Sequence, residues 1–378
     1  MSVSGWALCV LPGVALTMTV VNALSWQRGK TTGTLDEKLS VLIPARNEAT
    51  RLPAGLRALA RSSVRIHEIL VYDDDSTDDT PAVLAELSRE IPQLRVIRGQ
   101  PLPAGWVGKP HACHRLSQEA TGDLLCFLDA DVLVEPEGLA RVASILRGAG
   151  ADVVTAMPRQ IMQTVAERLV VPFLLLSYVS WLPLELVPRT KDPRIVAANG
   201  QVLAVRRSAL QRMGGFRAIA QEIVDDVAFC RRAKEANLRV VFADGTEIAS
   251  CRMYATPKQV WEGFSKNIHE GVGSALALLL VVLVYLATFV APAAAAIVAS
   301  AAAPTLLVPA SVATSLTVSQ RALTWLRWRQ PVTGLVTHPL GAIAVVAIAL
   351  NSLTWSLRGE IKWAGRRYAS RSARRSAA

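Results

Sequence analysis

Between residues 36 and 270, short apolar runs of strand length alternate with stretches of helical period. Leu39–Ile43 precedes a helical pattern over 49–61, Glu68–Tyr72 one over 78–90, and Leu94–Ile97 one over 109–120. Leu124–Leu128 precedes a pattern over 136–147, and a further run follows at Asp152–Ala156. Strands alternating with helices of about 10–15 residues predict an α/β domain whose mostly parallel sheet is covered on both faces. Ligands of such sheets bind beyond the carboxyl ends of the strands. The polar residues just past each apolar run are therefore the ones to examine.

Outside this stretch the pattern changes. Residues 1–27, 271–320 and 330–357 contain no Asp, Glu, Lys or Arg. The expected organisation is an N-terminal transmembrane anchor at 1–27, an α/β domain at 36–270, a C-terminal transmembrane region at 271–357 and a basic tail at 358–378. Residues 5–25 suit one span, with Trp6 and Trp26 expected at the two edges of a hydrocarbon layer about 30 Å thick. Arg28 and Lys30 follow this run rather than precede it, which predicts an uncleaved anchor with the domain in the cytoplasm. The stretch 271–320 is long enough for two spans broken near Pro292 or Pro304, and 332–357 supplies another. Three spans after a cytoplasmic domain would leave the basic tail outside, against the positive-inside rule. The expectation is a multi-pass protein of the inner (plasma) membrane with one of these segments re-entrant, or an exception to that rule. The apolar run 169–184, interrupted by Pro172 and Pro183, fits equally a buried core helix and an interfacial element beside a lipid acceptor.

Composition sharpens this division. Apolar types make up 51% of the 378 residues and charged types only 19%, which excludes a disordered chain. Of the net charge of +11, the tail after Leu357 carries +6: Arg358, Lys362, Arg366, Arg367, Arg371, Arg374 and Arg375 against Glu360. A polybasic run beside an apolar segment suits an anionic leaflet. No nucleic-acid-binding pattern accompanies it, so nucleic acid is not expected as a partner. The five scattered cysteines lack a C-x-x-C pair and read as small buried hydrophobes.

The candidate chemistry lies past the strands. Pro44-Ala45-Arg46-Asn47-Glu48 follows the first, Asp73-Asp74-Asp75-Ser76-Thr77-Asp78 the second, and Asp129-Ala130-Asp131 the fourth. A turn or helix cap accounts for Ser76 and Asp78. It does not account for Asp129 and Asp131, which close an apolar strand. On an extended chain, carboxylates at i and i+2 point to one side. A divalent cation shared with a diphosphate would remove their repulsion. Gly105-Trp106-Val107-Gly108-Lys109 lacks the spacing of a P-loop. Lys109 can still reach a phosphate as a point charge at a helix start. Asp225-Asp226 opens an amphipathic run ending at Arg231-Arg232. It reads either as a helix start or, if Asp226 faces the metal site, as a general base. His111 and His114, three apart, read as ordinary helix residues.

The order IPARNE, DDDSTD, GWVGKPHA, DAD, GGF (Gly214–Phe216) and DD (225–226) resembles the family 2 glycosyltransferases of GT-A fold. Within them it is similar to the membrane subgroup that includes carotenoid (chlorobactene-type) and hopanoid-associated enzymes. The segment Trp363-Ala364-Gly365-Arg366-Arg367-Tyr368 resembles that subgroup's W-x-G-R-x-Y pattern. The resemblance implies a nucleotide-sugar donor, of the UDP-glucose type, and a lipid acceptor. Pro44, Arg46, Glu48, Asp73 and Asp74 would bind the donor with Lys109. Asp129 and Asp131 would serve the ribose and a Mn²⁺ or Mg²⁺ ion, and Asp226 would be the base of an inverting displacement. Asp225 stands where the family carries Glu. The Q/R-x-x-R-W motif of the family's polymerases is missing. Arg321-x-x-Thr324-Trp325 has its ends without the inner arginine, so no polymerase is expected. A polyprenyl-phosphate acceptor is the near alternative, and a non-catalytic lipid-binding scaffold the distant one. The sequence implies no oligomeric state.

Overall fold

The structure, a computed structural model, describes residues 3–31, 35–363 and 366–369. Ala364 and Gly365 of the W-x-G-R-x-Y segment, and the tail from residue 370 onward, lie outside the described residues. The chain forms two compact units. One comprises Trp26–Ile161 and Glu185–Met253; the other comprises Met1–Ser25, Met162–Leu184 and Tyr254–Ala378.

The first unit is built on an eight-stranded sheet. Its strands are β1 (Leu39–Ala45), β2 (Glu68–Asp73), β3 (Leu94–Arg98), β4 (Leu124–Leu128), β5 (Val132–Val134), β6 (Val153–Gln160), β7 (Val202–Arg206) and β8 (Val240–Cys251). They lie in the order β3-β2-β1-β4-β7-β6-β8-β5. β3, β2, β1 and β4 run parallel, with Val41 opposite both Ile69 and Cys126. β7 enters antiparallel between β4 and β6, and β5 pairs antiparallel with β8. The sheet is thus mixed, with a parallel half that matches the pattern of apolar runs.

Side chains alternate between two cores with the strand period of two. Val41, Ile43, Ile69, Val71, Cys126 and Leu128 face one core, beside Leu52, Leu56, Leu139 and Leu146. Leu42, Leu70, Tyr72, Leu125 and Phe127 face the other, beside Cys113, Leu116, Phe229 and Cys230. Both faces of these strands are therefore buried, which is why the runs read as continuously apolar rather than alternating. The helices that cover them, Leu52–Leu59, Thr80–Glu90, Gly108–Glu119 and Gly138–Gly148, fall within the sequence-predicted patterns to within a few residues.

Residues 26–30 run along this unit as a strap. Trp26 is buried, its indole N–H donates to Phe242 O at 2.9 Å, and Arg28 pairs with Asp244 at 3.0 Å. The backbone carbonyl of Gly29 accepts from Arg141. The expected role of Trp26 as a membrane-edge anchor is corrected: its N–H and ring are both satisfied inside the α/β unit.

The second unit is helical. Gly5–Ser25, Ala275–Ala302 and Gly334–Leu357 are long and apolar enough to cross a membrane. Pro292 does not break the second of these, because a π turn over Leu286–Val290 precedes it and absorbs the lost hydrogen bond. The break comes at Ala303, before a further helix at Pro304–Trp328. The 169–184 stretch forms short helices at Val165–Val170 and Pro172–Val179, the first closed by a Thr164/Glu167 capping box. It belongs to this unit and not to the α/β core: Phe173 and Leu176 pack with Tyr285, Phe289 and Ala342. Asn22 ties it down, donating to Val179 O and Leu182 O and accepting from Leu184 N.

Candidate active site

The loops after β1 and β2 are laced together. Arg46 Nη1 donates to the backbone carbonyls of Asp74 and Asp75. Asn47 accepts from Thr77 N at 2.8 Å, and its own N–H donates to Ser76 Oγ at 2.9 Å. Thr80 Oγ1 accepts from Glu48 N at 2.8 Å. Asp78 accepts from both Thr80 N and Thr80 Oγ1, as its reading as a turn residue requires. Asp73 and Asp74 are buried at the end of β2, with Asp73 Oδ1 accepting from Ser76 N. Pro44 is half-buried in β1, opposite Tyr72. Pro44, Arg46, Glu48, Asp73 and Asp74 are therefore gathered at one sheet edge.

Asp129, Ala130 and Asp131 leave β4 in a tight turn closed by Val132 N donating to Asp129 O at 3.1 Å. The expectation of an extended chain is corrected here, because β4 must hand over to β5 within three residues. The two carboxylates still feel each other. Burial first, then the Asp129 charge, pushes Asp131 up to about 6. Glu48 reaches the same field: burial raises it to about 7, with the Asp131 and Asp129 charges adding and the Arg51 pair opposing.

Lys109, on the first turn of helix Gly108–Glu119, joins this group to the downstream acidic pair. Its Nζ lies 2.7 Å from Asp129 Oδ1 and 3.8 Å from Asp225 Oδ2. Burial alone would lower Lys109; the Asp129 and Asp225 charges outweigh it and hold the ammonium well above its ordinary value. Asp226 is half-buried beside it at the start of helix Asp225–Glu235, accepting from Gly200 N at 2.9 Å and Val227 N at 2.8 Å. Burial, reinforced by Asp225 and opposed by Lys109, pushes Asp226 up to about 6.

Residues 40–214 match the sequence profile of glycosyl transferase family 2. This segment, just under half of the chain, is similar to family 2 glycosyltransferases. Similar curated proteins are 4,4'-diaponeurosporenoate glycosyltransferases. That of Staphylococcus haemolyticus is 28% identical over 65% of this chain and 64% of its own length. That of Staphylococcus aureus is 24% identical over 70% of this chain and 69% of its own. The chain thus spans under two thirds of the first relative's length. The fold resembles a mannosyltransferase of Pyrobaculum calidifontis, solved with GDP-Man and Mn²⁺: TM-score 0.54, 15% identity, 93% of this chain and 99% of that one. The α/β unit has the GT-A fold.

Several residues around the acidic cluster escaped the sequence reading. Gly200 sits where a Cβ would come within 3.1 Å of Lys109 Nζ and 3.2 Å of Asp226 Cβ. Gly99 packs so closely under the aspartate loop that a Cβ would lie 2.3 Å from Asp73 O. Behind Asp131 runs a buried chain: the Cys251 thiol bonds Asp131, Gln201 Nε2 donates to Cys251 Sγ at 2.9 Å, and Gln160 Nε2 donates to Gln201 Oε1 at 2.8 Å. The Asn199-Gly200 dipeptide was the one local turn signal that pointed here. His111 and His114 pack on Trp106, whose ring stacks on His114 at 5.0 Å.

Among the described residues no three His, Cys, Asp or Glu side chains form a ready-made metal cluster. Asp129 and Asp131 nonetheless suit a hard cation that takes its remaining oxygen ligands from a diphosphate. The Asp129 charge raises the cost of ionising Asp131, and a shared cation would relieve it.

Proposed function

We propose that this protein moves one sugar from a nucleotide-sugar donor, of the UDP-glucose type, to an isoprenoid lipid at a membrane. The acceptor is a carotenoid or hopanoid bearing a hydroxyl or carboxyl group. The observation that carries the reading is Lys109, which joins the Asp129/Asp131 turn to the Asp225/Asp226 helix start. The names of the relatives support a carotenoid acceptor. The three helices long and apolar enough to cross a membrane support a multi-pass protein, with the α/β unit on the cytoplasmic side.

In this reading Pro44, Arg46, Glu48, Asp73 and Asp74 form the nucleoside end of the donor site. Lys109 turns from Asp129 to the diphosphate as donor binds. Asp129 and Asp131 would hold Mn²⁺ or Mg²⁺, which supplies charge stabilisation to the leaving diphosphate. Asp226, held by the Gly200 and Val227 amides, takes the acceptor proton as the acceptor oxygen attacks the anomeric carbon from the opposite face. The displacement inverts that centre. A carboxyl near 6 is suited to this work, since it is ionised at neutral pH yet more basic than an ordinary aspartate.

The test is transfer of labelled sugar from UDP-glucose into solvent-extractable lipid, in membranes carrying the wild type or Asp226→Asn, with and without EDTA. Labelled lipid that EDTA abolishes and Mn²⁺ restores is the expected result. Absence of label with every nucleotide sugar would sink the proposal. Undiminished transfer in Asp226→Asn would point to an acceptor oxygen already anionic, a carboxylate or a phosphate.

A further inference from the structure

The helical unit holds a charge that none of its described residues balances. Arg321, on helix Pro304–Trp328, is 2% exposed, and its Nε and Nη1 have no hydrogen-bond partner. Among the described residues it makes no ion pair. A guanidinium buried without a counter-charge is among the costliest arrangements a fold can carry. It persists where something supplies the missing negative charge.

Three neighbouring features say what that is. First, the guanidinium abuts Gly334, the first residue of helix Gly334–Leu357; a Cβ there would come within 2.1 Å of Nη2. The first amides of that helix already donate to the Pro331, Val332 and Thr333 carbonyls, so the helix adds the positive end of its dipole beside the cation rather than open donors. Second, His338 lies one turn further along the same face, 4% exposed, with neither ring nitrogen partnered. Third, the surroundings are aromatic. Phe173 stacks on the His338 ring at 5.2 Å and Phe289 meets it edge-on at 4.8 Å. Trp181 packs against Phe289, its indole N–H buried and without a partner. Donors without acceptors, at the start of an apolar helix long enough to cross a membrane, fit an oxyanion carried on an apolar chain.

We propose that Arg321 and His338, beside the start of helix Gly334–Leu357, form a binding site for the anionic head of a long-chain amphiphile, a carboxylate or a phosphate. The site is separate in argument from the donor site, and it stands whether or not the bound lipid is the sugar acceptor.

The experiment measures Tm of the full chain, purified in neutral detergent, with four probes: palmitate, hexadecyl phosphate, hexadecanol and inorganic phosphate. Palmitate or hexadecyl phosphate should raise Tm by about 3 °C or more at saturation, and the preferred one identifies the head group. Arg321→Met should lose that shift while folding at least as well as wild type without ligand, because it removes an unpaired buried charge. His338→Phe, which keeps the aromatic stack, should weaken the shift and serves as the test if Arg321→Met does not fold. An equal shift from hexadecanol, an equal shift from inorganic phosphate, or an undiminished shift in both variants overturns the proposal.

Discussion

Asp226 is the residue on which the proposed chemistry turns, and its surroundings define what a substitution does. Asp226→Asn keeps the hydrogen bond from Gly200 N but cannot accept a proton. Transfer to a hydroxyl acceptor should fall by roughly 10²–10⁴-fold, while UDP binding, measured by calorimetry, stays unchanged. The pH dependence follows from the same group. A base must be unprotonated, and burial has moved Asp226 up to about 6. The rate should therefore fall as pH drops through about 6, rather than through the ordinary aspartate range, in a profile of initial rates at saturating donor. The stability consequence has the opposite sense. Glu48, Asp131 and Asp226 all bind protons more tightly folded than unfolded. Their contribution is fully present below about pH 4 and is lost as pH rises through about 6 to 7. Thermal unfolding without donor or metal should show that loss, and added Mn²⁺ with UDP should reverse it. These carboxylates were legible in the sequence as polar residues closing apolar strands. Their raised values were not, because they arise from burial and from neighbours distant along the chain.

At the scale of elements, the site depends on how closely the loops approach. Gly99, just past β3, lets its backbone pass under the aspartate loop. Gly99→Ala would bring a Cβ to 2.3 Å from Asp73 O and 3.1 Å from Asp74 Cα. It should cost about 1–3 kcal/mol of stability and raise the donor KM more than it lowers kcat. Denaturant melts and donor titrations together check this. The Cys251–Gln201–Gln160 chain acts on the other carboxylate. Cys251→Ala, which takes away a single heavy atom, removes the Sγ contact with Asp131 and Gln201. The Mn²⁺ concentration for half-maximal activity should rise several-fold, with the Tm little changed. The parallel strands and their helices could be predicted because each is a local pattern of apolar period. β5, β7 and β8 could not: β5 spans only Val132–Val134, and β7 and β8 find their partners across long sequence separations.

At the scale of the molecule, the two units interleave along the chain. Residues 162–184 interrupt the α/β unit in sequence and pack in the helical one. Truncation after Met253 would leave Phe173 and Leu176 without Tyr285, Phe289 and Ala342, and Val170 without Val260 and Ile348. The truncated protein should require detergent to stay in solution. Soluble, monomeric behaviour of that fragment in size-exclusion chromatography without detergent would contradict this. The span count also belongs to this scale. Helix Pro304–Trp328, which carries Gln320, Arg321 and Arg327, is not among the three helices apolar and long enough to cross.

Composition and periodicity by themselves determined the charge-free flanks, the alternating α/β middle, and the three acidic or polar clusters past the strands. Each of these is written in contiguous residues, where burial on both sheet faces or within an apolar helix leaves a local mark. Only the tertiary structure decided that Lys109 bridges Asp129 and Asp225, and that Trp26 is held inside the α/β unit. It also decided that 169–184 packs with the apolar helices and that Arg321 is buried beside Gly334. Those are meetings of residues far apart in sequence, and the energies that decide them, desolvation and charge pairing, depend on distances that no local pattern records.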